Sequence, residues 1–147
     1  MFRKKTLGTI ILTIASFAIC MAIAAGHEYK EKVIGILGGT ISLSEGTKIV
    51  VLPGALLKNT LLSIERWTDE DKVYFHFGPD GLQFNLPVII CLSWASLEDV
   101  DLEDLILYYW DEEKGEWVEV CIAEWDLVEK ACKFYINHFS YYYYQRR

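Results

Sequence analysis

The chain is predicted to be an all-β protein, an antiparallel β-sandwich preceded by one hydrophobic N-terminal segment. Three observations predict this class. Beyond residue 25, β-branched and aromatic residues recur in short runs, the composition of strands. Gly38-Gly39, Glu45-Gly46, Pro53-Gly54, Pro79-Asp80-Gly81 and Lys114-Gly115 divide those runs at frequent intervals. Helical periodicity is nearly absent, and that pattern of elements fits a sandwich. The 147 residues are 52% hydrophobic and 14% aromatic, which excludes disorder for the bulk of the chain and is enough for one core.

Residues 1–25 are read apart from the fold. Met1-Phe2-Arg3-Lys4-Lys5 is a short basic start, residues 6–25 are uncharged and mostly apolar, and Ala22-Ile23-Ala24-Ala25 offers small residues for signal peptidase. Cleavage after Ala24 or Ala25 is the expectation; an uncleaved anchor is the alternative, since the stretch is long enough to span a bilayer. In both cases Arg3, Lys4 and Lys5 stay inside and residues 26–147 are exported, secreted or held at the cell envelope. A lipoprotein signal at Cys20 is disfavoured by Ile19, where a small residue is wanted.

Charge narrows the partners. The chain has 14 basic and 21 acidic residues, a net of -7. Residues 1–25 hold three of the basic ones and no acid, so residues 26–147 carry 11 against 21, or -10. Such a domain suits neither nucleic acid nor an anionic membrane surface. Membrane contact is expected only through residues 6–25, if they remain.

The elements follow in order. Val33-Ile34-Gly35-Ile36-Leu37 is a short apolar run, residues 40–44 alternate as a half-buried strand, and residues 47–52 form a β-branched run. Residues 61–67 and 73–77 flank Asp69-Glu70-Asp71 and read as a hairpin; its acidic tip is a solvated turn, the sharper alternative being a calcium site that lacks a spaced ligand loop. Residues 87–94 are nearly all apolar, a strand buried on both faces. Residues 96–105 read as one short helix or an acidic loop, with Ser96 able to cap. Residues 105–110, 117–122 and 131–139 are further strands, and residues 140–144 can add a last one. Phe84, Trp110 and Trp117 are expected between the sheets.

Three cysteines follow residue 25: Cys91, Cys121 and Cys132. They form no CxxC pair and no zinc-ligand spacing. Cys121 and Cys132 lie in successive apolar runs and are the candidate disulfide; three buried thiols are the alternative. No cofactor or metal is expected.

Five strings, in order, resemble the ZU-five domain, the β-sandwich module of zonula-occludens, netrin-receptor and ankyrin proteins, in a bacterial exported version. They are Gly38-Gly39-Thr40; Pro53-Gly54-Ala55-Leu56; Phe77-Gly78-Pro79-Asp80-Gly81-Leu82-Gln83-Phe84 with Pro87-Val88; Leu107-Tyr108-Tyr109-Trp110-Asp111 with Gly115 and Trp117; and His138-Phe139-Ser140-Tyr141. They span residues 38–141. In some relatives the same His-Phe-Ser string marks self-cleavage. The resemblance implies that the Phe139–Ser140 bond could be scissile, with the Ser140 hydroxyl attacking the Phe139 carbonyl and His138 as general base. The structural alternative makes the tripeptide the end of a core strand, with Phe139 in the sandwich. Scission there would release only eight residues.

The other histidines, His27 and His76, stand apart from any catalytic motif, and Asp99, Asp101, Glu103 and Asp104 form one solvated acidic run rather than a catalytic pair. In Tyr141-Tyr142-Tyr143-Tyr144, a strand places two rings inward and two outward, where they suit a protein or a sugar; the structural reading, which is preferred, is an edge strand whose pairing is blunted by Gln145-Arg146-Arg147. The expected function is thus non-catalytic binding or scaffolding at the cell envelope, with an unidentified protein partner. Single-turnover self-processing is the first alternative. Carbohydrate binding through Trp67, Trp94 or Trp125 is the second.

Overall fold

The computed structural model describes residues 26–97, 99–120 and 124–147. The proposed signal or anchor segment, residues 1–25, and Cys121 lie outside the described residues.

The fold is all-β, with two antiparallel sheets sharing one core. The first sheet has six strands. They are β1 (Glu28–Ile34), β4 (Thr60–Asp69), β5 (Lys72–Gly78), β7 (Leu105–Asp111), β8 (Glu116–Glu119) and β11 (Tyr141–Arg146), in the order β1-β4-β5-β11-β7-β8. The second has five: β2 (Gly39–Ser42), β3 (Lys48–Val51), β6 (Gln83–Ser93), β9 (Glu124–Asp126) and β10 (Ala131–His138), in the order β2-β3-β6-β10-β9.

Period-two alternation decides what enters the core. Leu62 and Ile64 of β4 point inward with Val73, Phe75 and Phe77 of β5, against Val88, Ile90 and Leu92 of β6. β6 is central in its sheet, between β3 and β10. Its other face is covered too, because Lys48 and Lys133 flank Cys91 in register and lay their carbon stems beside it. The expectation of a strand buried on both faces therefore holds from Val88 to Ser93, apart from the half-buried Ile89.

Four elements refine the sequence reading or depart from it. The first strand is not the apolar run but the charged stretch before it, Glu28–Ile34. An edge strand needs little apolar surface, and here Lys30 and Lys32 donate to the carbonyls of Ser42 and Thr40 on β2, closing the gap between the sheets. Residues 96–105, read as a short helix or an acidic loop, form a loop with one three-residue 3₁₀ turn, Leu102–Asp104, among their described residues, because their apolar spacing builds no helical face. β9, a three-residue edge strand, was not expected.

The fourth departure concerns Trp110 and Trp117. Phe84 is in the core as expected, but these two indoles lie on the outer face of the six-stranded sheet. On β7, Leu105, Leu107 and Tyr109 face inward, so Tyr108 and Trp110 must face out. On β8, Val118 faces inward and Trp117 is 37% exposed.

Two glycines answer to the backbone. Gly54 follows Pro53 with φ +85°, the conformation the third residue of a type II turn requires. Gly38 has φ +74°, and a Cβ there would lie 2.3 Å from the Val51 carbonyl oxygen.

Candidate functional site: the sheet crossover and the outer aromatic face

His138, Phe139 and Ser140 sit where the chain leaves β10 in one sheet and enters β11 in the other. The pairing of β10 with β6 shifts register between Ile136 and His138, which lets the strand turn out of its sheet. Phe139 is buried, its ring 5.0 Å from that of Phe84 and 5.8 Å from that of Phe77. Ser140 is buried as well. Its hydroxyl donates to the Trp110 carbonyl oxygen at 2.7 Å, and its carbonyl oxygen accepts from the Phe77 N–H at 3.4 Å. His138 is exposed, opposite Gln83.

This arrangement has a clear chemical consequence. A hydroxyl carries one proton, and that of Ser140 is directed at Trp110 rather than at the His138 imidazole. Attack on the Phe139 carbonyl would first require breaking a buried hydrogen bond and rotating the hydroxyl. As it stands, the tripeptide closes the sandwich: Phe139 plugs the corner and Ser140 ties β11 to β7.

Neither described thiol is poised for chemistry. Cys91 and Cys132 are free and buried. Burial pushes the Cys132 thiol up to about 12, so it stays protonated. The Cys121–Cys132 pairing depends on Cys121, outside the described residues. The acidic hairpin tip is a two-residue turn, Glu70-Asp71, and Asp99, Asp101, Glu103 and Asp104 are all exposed. Among the described residues no three His, Cys, Asp or Glu side chains form a group that could hold a metal ion.

The feature that stands out is the outer face of the six-stranded sheet. In-register neighbours place Trp67, Tyr74, Tyr143 and Tyr108 in one row across β4, β5, β11 and β7. Trp67 stacks on Tyr74 at 5.3 Å and 8°, and Tyr108 on Tyr143 at 4.9 Å and 23°. Trp117 closes edge-on over Tyr143 at 4.6 Å, and Trp110 packs against Trp117. Lys72 places its ammonium 5.4 Å from the Tyr143 ring centre.

A polar strip adjoins these rings. His27 and His76 both approach Glu65, at 2.6 and 3.9 Å, and His76 also contacts Asp80 at 2.6 Å while stacking on Tyr141 at 4.0 Å. Sequence reasoning identified the Tyr141–Tyr144 run and Trp67 but not the other rings, and the run is no edge strand, because β5 and β7 pair with β11 on either side. The pairing of five strands makes the platform; Tyr74, Tyr108, Trp110 and Trp117 each alternate with inward residues, but that spacing alone does not bring them together.

The candidate sugar platforms do not lie together. Trp94 is in the core, Trp125 is half-buried against it, and only Trp67 belongs to the outer face. Placing Trp94 inside follows from its position just after the buried C-terminal half of β6.

No protein-family model matches the chain, and no curated protein matches it.

Proposed function

We propose that residues 26–147 form a non-catalytic, ZU-five-like binding and scaffolding module exported to the cell envelope, and that its protein partner docks on the outer face of the six-stranded sheet. The observation that carries this reading is the six-ring cluster of Trp67, Tyr74, Tyr108, Trp110, Trp117 and Tyr143 on a surface with no layer above it among the described residues. Tryptophan and tyrosine are the residues that anchor protein interfaces, combining large apolar area with a polar edge.

Stacking geometry favours protein over sugar. A sugar ring needs an open aromatic face. Here stacking covers one face of each ring in the Trp67–Tyr74 and Tyr108–Tyr143 pairs, and Tyr74 and Tyr143 also pack on each other, so few whole ring faces are left open to a sugar. The export reading is supported by residues 1–25, and the fold-family reading by the five ordered strings. The crossover geometry at Ser140 supports a chain that keeps its Phe139–Ser140 bond.

Two measurements test the proposal. A photo-crosslinking residue at position 117 should trap a discrete protein in the envelope fraction, while one at Tyr135, exposed on the opposite sheet, should not. Equal yields from both positions would remove the face from consideration. Intact mass after prolonged incubation should show the chain through Arg147, and loss of residues 140–147 in the parent but not in Ser140→Ala would establish self-processing instead.

A further inference from the structure

β8 and β9 end the two sheets on the side of the sandwich away from β1 and β2. There β9 pairs only with Ala131–Lys133, and among the described residues no strand pairs the rest of that edge of β10. A groove of about 520 Å³ opens beyond it, with residues 134–138 on one wall and Tyr109, Val120 and Tyr142 on the other. Its lining is apolar and aromatic, since Phe134, Ile136, Tyr109 and Tyr142 all belong to the core or pack against it. That size and lining are those of a small-molecule site.

One polar group in this lining is unlike its neighbour. Tyr142 and Tyr144 point inward from the same strand. The Tyr144 hydroxyl is held by the Leu92 carbonyl and the Cys132 thiol. The Tyr142 hydroxyl, on a residue only 4% exposed, has no hydrogen-bond partner among the described residues. Buried hydroxyls are nearly always bonded. As a donor in the wall of a groove, this one can serve an acceptor that an occupant brings.

Charge gives the occupant its sign. A second hollow of about 430 Å³ shares Tyr109 and His138 with the groove and is lined by Asp111, Glu112 and Glu113. Asp111 is fixed in place, accepting from the Tyr109 hydroxyl at 3.2 Å and from the Glu113 and Lys114 amides at 3.0 Å. The Lys114 amide above all holds its carboxyl below the usual carboxylate range, so it stays charged. Glu112 and Glu113 are exposed, and Lys114 is the one cation among residues 111–115. An aromatic ring beside carboxylates suits an organic ammonium ion, which ring and charge attract together.

We propose that these joined hollows bind a small organic cation. Its apolar body lies between β7 and β10, an oxygen of the ligand accepts from Tyr142, and its ammonium group sits against Tyr109 at the Asp111–Glu113 turn. A neutral apolar molecule or an anion fits only half of this site. β9 and the acidic turn bound it at its two ends, which suits a compact molecule better than a through-running chain. Tyr109 faces inward from β7 and Tyr108 outward, so the site is separate from the outer aromatic face.

The test is calorimetric titration of the full chain with hexanoylcholine, which joins a short alkyl chain, an ester carbonyl and a quaternary ammonium. Saturable one-to-one binding is expected. Ethyl hexanoate, which lacks the cation, and choline, which lacks the chain, should each bind about tenfold more weakly. Tyr142→Phe keeps the ring and removes the hydroxyl, and should weaken hexanoylcholine about threefold. Glu112→Gln combined with Glu113→Gln, both at exposed positions, should weaken it about fivefold, a loss that shrinks in high salt. Circular dichroism and the urea midpoint confirm that each variant is folded. Unchanged affinity in both variants, or no saturable binding at millimolar ligand, overturns the proposal. Ethyl hexanoate binding as tightly as hexanoylcholine overturns the cationic class of ligand. Binding of the peptide acetyl-Arg-Thr-Leu-Thr-Val-amide without binding of hexanoylcholine overturns it in favour of a strand added along β10.

Discussion

Four consecutive tyrosines give the molecule an internal comparison. Tyr142 and Tyr144 point into the sandwich, and Tyr141 and Tyr143 point out of the same strand. The inner Tyr144 is fully buried against Phe75, with its hydroxyl donating to the Leu92 carbonyl at 2.8 Å and accepting from the Cys132 thiol at 2.7 Å. The outer Tyr143 is almost as inaccessible, at 8% exposure, but its cover is other rings of its own sheet: Tyr74, Tyr108 and Trp117. One side chain thus meets two kinds of burial. Inside, two sheets close over it and its polar atom is fixed. Outside, a single layer of aromatics closes over it and leaves a surface on which more can be placed.

The sharpest way to break the comparison is to remove each ring. Tyr144→Ala takes away a large core group and leaves the Leu92 carbonyl without its donor. A loss of about 3–5 kcal/mol is expected, the range for truncating core aromatics. Tyr143→Ala should cost less, about 1–2 kcal/mol, because solvent and neighbouring rings can fill the space and no buried hydrogen bond is lost. Urea denaturation of both variants measures the difference. Equal losses would mean that the outer cluster is a second core and not a docking surface.

The same contrast explains how much could be read in advance. Most strands other than β1 and β9 were legible, several because burial on one face writes a period of two into the sequence and β6 because burial on both faces writes a continuous apolar run. β1 was not, since its stability comes from register with β4 and from lysines capping β2, and neither needs an apolar signature. Trp110 and Trp117 were assigned to the interior on size alone. Their orientation depends on Leu107 and Val118 claiming the inward positions. The site suffered most. His138 and Ser140 flank Phe139 in the sequence and suggest a nucleophile with its base, yet the turn between sheets points the hydroxyl at Trp110. The aromatic face joins five strands from three separate stretches of the chain, and local alternation, which gives each ring's side of its own strand, does not announce their meeting.

The last expectation isolates the buried hydroxyl of Tyr144, whose ionisation adds no pH dependence near neutrality. Burial is the main cause that holds its ionisation well above the ordinary 10.0, and the nearby Cys132 adds to it. Tyr141, on the outer face, is also raised by burial, with Asp80 and Glu65 contributing. For a phenol raised in the folded state, the unfolded chain releases its proton first. The contribution to stability is whole below pH 10 and drains away as pH climbs toward the folded value. The slope reaches about 1.4 kcal/mol per pH unit for one such group. Tyr144→Phe should lower stability at pH 7 by about 1–2 kcal/mol through the lost hydrogen bonds. Between pH 10 and 11 it should lose less than the parent does, so the two curves converge. Tyr141→Phe should leave the alkaline slope closer to that of the parent. Stability measured by urea at half-unit steps through this window, with tyrosinate absorbance followed in parallel, distinguishes the two faces: parallel curves for parent and Tyr144→Phe would show that the hydroxyl ionises in place and is not sealed between the sheets.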